Sequence, residues 1–292
     1  MAFADLIPDL PEIESVGVAY ERVAEEIKTI LLSVDPMHYS ASKGAGILSR
    51  VDSKISRLNV IAIKHTNRFI PKAYNQMKAR SISRLKELGR KEESQNDSYD
   101  KDISSEMAVT KKYLLTANRS IHKTAAKYLI AIKRISKPLA ELREFGGAVL
   151  SDDEIRIFLE KIQRAVAAGD SRNMVSAMIL ERLKEDIGES NLIEVNGRFF
   201  NARKYSMLVS RTEMRRVQSQ AVKTTCARYQ NDLVEVSDHG TTTEICEPYE
   251  GETYSLSGSD NTYALLPAEP PFHPNCQHYL SPTSKAALAL RK

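Results

Sequence analysis

The sequence predicts a mainly α protein: an elongated N-terminal helical body over residues 1–190, then a small α+β, loop-rich module over residues 191–292 that zinc would staple. Three observations predict it. Glycine and proline are sparse, 12 and 11 in 292 residues, and both are concentrated late, which assigns the loops to the last third. Apolar residues of the first two thirds recur at steps of three and four, the helical period. Two of the three cysteines and two of the six histidines fall in the last fifty residues.

The first helix is read from Val16, Tyr20, Val23, Ile27 and Ile30, acidic outside and apolar inside, and Asp35-Pro36 ends it. Ser42-Lys-Gly-Ala-Gly46 is expected to be a flexible joint. A second helix then carries Val51, Ile55, Leu58, Ala62, His65 and Phe69, kinks at Pro71 and resumes to about Leu88. The tract from Gly89 to Lys101 has Tyr99 as its one apolar residue and reads as a solvated linker. A third helix runs from about Ser104 to Phe145, with Ile121, Ala125, Tyr128, Ile132, Ile135 and Leu139 on one stripe, until Gly146-Gly147 stops it.

Ser151-Asp-Asp-Glu154 is a capping box ahead of Ile155, Phe158, Ile162 and Val166. Asp170 or Ser171 caps the next helix, in which Val175, Ile179, Leu183 and Ile187 fall every fourth residue. A domain boundary near residue 190 follows. Leu192 to Phe200 is the strongest strand signal, because Asn196-Gly197 accepts the positive φ values of a two-residue hairpin turn. Ala202 to Tyr229 predicts a helix with seven Lys/Arg and one acidic residue, Glu213, and Leu233 to Ser237 a further strand.

Net charge is +4, but it alternates along the chain. Residues 43–91 carry thirteen Lys/Arg against two acidic residues, and 111–143 carry nine against one. Two helices with one positive face would suit a polyanion; neighbouring helices of opposite sign that neutralise each other are the equal alternative. Lys64, Arg68, Lys72, Lys78, Arg80, Arg84 and Lys86 are the candidate nucleic-acid contacts, at helical spacing with Tyr74 among them. Such contacts are sequence-independent and salt-sensitive. The 202–229 helix is also basic, yet residues 231–292 hold nine acidic against three basic residues. Docking of this helix on its own acidic module is therefore preferred, with Arg211 and Glu213 structural. His65, on the apolar stripe, reads as a satisfied core histidine, and Cys226 as a small buried residue.

No run reaches the roughly 18 to 20 apolar residues a membrane helix needs, and the N-terminus shows no charged region followed by an apolar one. An odd set of scattered cysteines argues against a disulfide framework and for a reducing compartment. A phosphate-binding glycine loop, a Gly-x-Ser-x-Gly elbow and a His-Glu-x-x-His pair are all absent.

The chemistry concentrates in Cys246-Glu-Pro-Tyr-Glu-Gly251 and Pro270-Pro-Phe-His-Pro-Asn-Cys-Gln-His278. Thiolate and imidazole bind a borderline-soft divalent ion, and His273, Cys276 and His278 supply three such groups from one proline-stiffened turn. Cys246 would close a tetrahedron, and His239 is a reserve ligand. The bland alternative is two buried cysteines and two turn histidines. Catalytic zinc would need an open position and a carboxylate base, which Glu244, Glu247 or Glu250 would have to supply. His273-Pro-Asn275 matches a nuclease element only superficially.

Tyr205-Ser-Met-Leu-Val-Ser-Arg-Thr212, Asp238-His-Gly240, Cys246-Glu-Pro-Tyr-Glu-Gly251 and the 271–278 turn resemble, in order and spacing, the signature of tailed-phage minor capsid proteins, with Mu-type head morphogenesis proteins as relatives. The resemblance covers roughly the final third and also marks the Arg211-Thr212 pair. In many relatives the first cysteine begins a Cys-x-x-Cys pair and the turn ends in cysteine; here Tyr249 and His278 stand in those places. The resemblance implies a structural, non-enzymatic minor head protein, made in the host bacterial cytoplasm and carried in the virion. It would associate with the portal or inner capsid and assist head assembly and DNA packaging or ejection, with portal and capsid proteins and packaged DNA as partners. The alternative is a metal-dependent nuclease or toxin-like effector carried in the virion.

Overall fold

A computed structural model of the chain describes residues 11–34, 39–92, 103–141 and 192–290. Three long helices come first: α1 (Pro11–Leu32), α2 (Ala41–Glu87) and α3 (Ser104–Glu141). A hairpin of β1 (Ile193–Val195) and β2 (Arg198–Phe200) leads into α4 (Ala202–Arg228). The chain then makes β3 (Leu233–Val236), a 3-10 turn (Glu247–Tyr249), β4 (Thr253–Ser255), β5 (Leu280–Pro282) and α5 (Lys285–Ala289). The described residues are thus mainly helical, with the sheet confined to the C-terminal part, as the sequence predicts. The two helices expected between 151 and 187, the Gly146-Gly147 stop, the Asp35-Pro36 stop, most of the 89–101 linker and the boundary at 190 lie outside the described residues.

Contacts divide the chain into two units. One comprises residues 16–62 and 114–205. Here the helical stripes read from the sequence are buried: Val16, Tyr20, Val23, Ile27 and Ile30 from α1, Val51, Ile55, Leu58 and Ala62 from α2, Ile121, Ala125, Tyr128 and Ile132 from α3. Burial of each large apolar side chain contributes about 1.5–3 kcal/mol, which is why the period of three and four is legible at all. The β1–β2 hairpin turns through Asn196 (φ 51°) and Gly197 (φ 75°), in antiparallel register Val195 to Arg198. It is tied to α3 by Ser120, whose hydroxyl donates to the Glu194 carbonyl at 2.8 Å and accepts from its N–H at 2.7 Å.

The expected flexible joint at 42–46 is helix instead, the first turns of α2. Gly44 is buried there under Tyr39: a Cβ on Gly44 would stand 2.0 Å from the Tyr39 hydroxyl. Glycine in this position admits a ring against the helix backbone rather than loosening the chain. Helix α2 continues past Pro71 to Glu87, as expected of a helix that resumes there. The proline's neighbours Phe69, Ile70, Ala73 and Tyr74 are buried, and their packing holds the helix through the missing N–H.

The other unit comprises residues up to 15, 63–113 and 206–292. Its sheet has the order β4-β3-β5, both pairs antiparallel, with Val234 opposite Tyr254 on one side and Pro282 on the other. Tyr74 and Met77 of α2, Ala221, Val222 and Cys226 of α4, Val234 and Val236 of β3, and Tyr279 and Leu280 form one apolar cluster. Ile13, Phe69, Ile70, Ala73, Met214 and Val217 form another. His65 stacks on Phe69 at 4.7 Å and bonds Ser210 at 3.0 Å, the satisfied histidine the sequence suggests. Burial drives its pKa down to about 4.

Helix α4 departs from an ordinary amphipathic pattern. Ser206, Ser210, Glu213, Arg215, Gln218, Ser219, Thr224 and Thr225 are all buried on it. Buried polar groups persist where they find partners. Arg215 donates to Gln218 at 3.0 Å, Thr225 to the Ala221 carbonyl at 2.7 Å, and Glu213 receives Arg216 at 2.6 Å. Its cations do not all dock on the acidic C-terminal segment as expected. Lys223 does, at 2.5 Å from Glu269, whereas Arg203 pairs with Glu21 and Arg228 with Glu92. The acidic partners come from distant segments because the helix is packed on several sides, which its sequence alone does not disclose.

Candidate metal centre

The centre is assembled by three loops around the β3–β5 edge. β3 ends at Val236, and the chain passes through Ser237-Asp-His-Gly240, with Gly240 at φ 62°. The 3-10 turn then follows Cys246, with Pro248 in its first turn. Glu250 and Gly251 close it: Gly251 adopts φ 69°, which lets its N–H return to the Val236 carbonyl at 3.1 Å. The third loop, 270–278, begins at a cis Pro270-Pro271 bond and passes through Asn275 at φ 68° before β5.

Two hydroxyls of α4 hold this third loop. Ser219 donates to the Pro270 carbonyl at 2.7 Å, and the Thr212 hydroxyl accepts from the Asn275 N–H at 3.1 Å while donating to the Leu208 carbonyl at 2.8 Å. Thr212 therefore braces the turn that carries the candidate ligands. The resemblance marks the Arg211-Thr212 pair without supplying this reason, since the contact spans sixty-three positions.

Donor atoms of Cys246, His273 and Cys276 all lie within 4.8 Å of one another, so this Cys/His/Cys group could hold a metal ion. Both sulfurs are buried, 3.9 Å apart, and all three cysteines of the chain are free thiols. His278, 3% exposed, sets Nδ1 at 3.3 Å from the Cys276 sulfur and Nε2 at 2.8 Å from Glu250. His239, the reserve ligand, bonds Ser237 through Nε2 at 2.8 Å and meets His278 edge-on at 5.0 Å. Tyr249 is stacked on Phe272 at 4.4 Å and forms, with Tyr254, part of the apolar wall. That contact is what Tyr249 supplies beside the candidate ligands.

Electrostatics within the group are sharply divided. Burial acts to raise the Cys276 thiol, but the hydrogen bond and charge of His278 outweigh it and bring the pKa down to about 7. Cys246 is pushed up to about 12 by burial and by the neighbouring sulfur. Burial would also lower His278, yet Cys276 and Glu250 together raise it. Glu250 is held low against its burial by His278 and by the N–H groups of His239 and Thr241. A cation would relieve the cost of a second buried thiolate beside Cys276.

The candidate nucleic-acid residues lie along α2. Lys64, Arg68 and Lys86 are exposed, while Lys72, Lys78, Arg80 and Arg84 are half-buried. Lys72 pairs with Glu12 at 2.6 Å and Arg84 with Glu87 at 3.1 Å. At 100° per residue, Lys64, Arg68, Lys78 and Lys86 fall within an arc of about 80°, and Arg80 and Arg84 lie towards the opposite, packed side.

Comparison with known families matches residues 180–284 to phage minor capsid protein 2. The match spans the hairpin, α4, the sheet and all three loops of the centre, and it bears out the likeness carried by the motifs. Comparison with curated proteins and with solved structures returned no significant match.

Proposed function

With residues 180–284 a phage minor capsid protein region, we propose that this chain is a structural component of the head of a tailed phage, seated at the portal or inner capsid and assisting head assembly and DNA packaging or ejection. Kinship with Mu-type head morphogenesis proteins belongs to the same proposal. Its C-terminal module is the docking part, made rigid by zinc held on Cys246, His273, Cys276 and His278. The single observation that carries this reading is the coincidence of the family match with the Cys/His/Cys group, since the match spans both loops that carry the group.

Zinc is the ion the donors favour. Thiolate and imidazole suit it, and zinc–sulfur bonds of about 2.3 Å set tetrahedral sulfurs about 3.8 Å apart. The two sulfurs stand at 3.9 Å. The exposed lysines and arginines of α2 would meet packaged DNA through phosphates alone. Among the described residues no helix is long and apolar enough to cross a membrane. The alternative, a metal-dependent nuclease or toxin-like effector, needs a carboxylate free to act as base. Glu250, at the centre, already accepts from His239, Thr241 and His278, and this favours the structural reading.

The test is binding of the purified chain to a portal ring and to duplex DNA over a salt series. Portal binding that persists at moderate salt is expected, together with DNA retention that collapses between low and moderate salt. Cleavage of nucleic acid with added zinc or manganese, abolished by His273→Ala, would overturn the structural reading.

A further inference from the structure

We propose that Glu250 is the positioning residue that turns Nδ1 of His278, the fourth ligand the sequence already offers, towards an ion held by Cys246, His273 and Cys276; the proposal rests on the zinc reading above. The argument is one of proton placement. His278 Nε2 lies 2.8 Å from Oε1 of Glu250. A carboxylate accepts, so Nε2 carries the hydrogen and the lone pair of the neutral ring falls on Nδ1. That nitrogen is 3.3 Å from the Cys276 sulfur. Ligands bound to tetrahedral zinc at about 2.3 Å (sulfur) and about 2.05 Å (nitrogen) lie about 3.6 Å apart, so the Cys276–His278 pair stands close to its bound spacing, while Nδ1 lies beyond 4.8 Å from at least one of the other two donors and the ring must move inward on loading.

His273 is fixed in the complementary tautomer. Its Nδ1 donates to the Pro274 carbonyl at 2.8 Å, and because a carbonyl only accepts, Nε2 is the nitrogen left for the ion. Each imidazole therefore offers a different nitrogen, and each is set by the hydrogen bond of the other. Metal-bound histidines are held in this way by carboxylates and carbonyls, whose loss costs roughly 10–100-fold in affinity.

Glu250 is itself immobilised. Oε1 also accepts the His239 N–H at 2.8 Å, Oε2 accepts the Thr241 N–H at 2.8 Å, and the side chain is 10% exposed. The final Glu-Gly of the Cys-Glu-Pro-Tyr-Glu-Gly motif is explained by this: the glutamate joins the 239–241 loop to the ligand turn, and the glycine turns the chain back to β3. Metal loading and the ordering of residues 239–241 are linked through one carboxylate. His239 is bound to the Ser237 hydroxyl and takes no part in the shell.

The test uses the full chain, purified under reducing conditions, stripped of metal and titrated with cobalt(II), whose visible bands report coordination number and whose near-ultraviolet bands report thiolates. One cobalt per chain in a tetrahedral site is expected. Glu250→Gln should keep the wild-type spectrum and bind roughly 10–100-fold more weakly. His278→Ala should change the visible bands and weaken binding. His278→Cys, a fourth donor that keeps the chain folded, should restore tight tetrahedral binding with a stronger thiolate band. An unaltered spectrum and affinity in His278→Ala would overturn the fourth ligand, and wild-type affinity in Glu250→Gln would overturn the positioning role. Failure of the wild-type chain to take up cobalt would overturn the zinc reading beneath both, while leaving the capsid role to its own salt-series test.

Discussion

At the scale of single residues, the described structure turns on side chains whose partners lie far away in sequence. His65 must stay neutral to stack on Phe69 and bond Ser210, and burial holds its pKa near 4 against an ordinary 6.5. The unfolded chain takes up the proton first as pH falls, so the contribution is complete above about pH 6.5 and is lost on the way down towards pH 4. The expected loss between pH 7.5 and pH 5 is about 2 kcal/mol. Urea unfolding at the two pH values measures it, and His65→Gln should remove most of the difference. Thr212 makes a second prediction: Thr212→Val keeps the shape but leaves the Asn275 N–H without its acceptor. A loss of about 1 kcal/mol is expected in the same assay, with weaker metal uptake because the ligand turn loses its brace.

At the scale of elements, α2 shows how one residue type carries opposite meanings. Gly44 and Gly46 both read as a joint, yet both are helical. Nothing lies within 4 Å of a Cβ placed on Gly46, so Gly46→Ala should stabilise the chain by about 0.5–1 kcal/mol through helix propensity. Gly44→Ala should gain less or lose, since its Cβ would meet the Tyr39 ring. Thermal melts of the two variants check the contrast, and a Tyr39→Ala background should abolish it. Helix α4 is the other instructive element: seven cations in its sequence suggest docking on the acidic C-terminal segment, but Arg215 is buried and others pair with acids from three segments. Helical period shows only where the apolar stripe lies, and a helix packed on polar groups has no stripe to show.

At the scale of the whole molecule, charge distribution bears on partners. On the proposed DNA contact, replacing Lys64, Arg68 and Lys86 with glutamine should flatten the slope of log affinity against log salt by about 0.9 for each cation, about 2.7 together. Replacing Arg80 and Arg84, half-buried on the packed side of α2, should leave the slope nearly unchanged. Fluorescence anisotropy with duplex DNA measures both. Much of the candidate site was legible beforehand: cysteine and histidine at close spacing, on prolines, name their own chemistry, and Cys246, His273, Cys276 and His278 were all read from the chain, the first three being the group that the structure gathers. The roles of Glu250 and Thr212 were not, because acidic and hydroxyl residues are common and nothing local distinguishes these from Glu244, Glu247 or Thr243.

By its own order of residues the chain determined the helical stripes, the Asn196-Gly197 hairpin and the donor types of the centre, since each depends on neighbours within a few positions. Tertiary structure brought the sulfurs of Cys246 and Cys276, thirty residues apart, to 3.9 Å, a meeting that donor type leads us to expect but that no local rule secures. It alone decided that Thr212 braces the turn and that the ring nitrogens of His278 meet Cys276 and Glu250. Those depend on which loops share an edge of the β4-β3-β5 sheet, and pairing across such distances is selected by the packing of the entire unit rather than by any local preference.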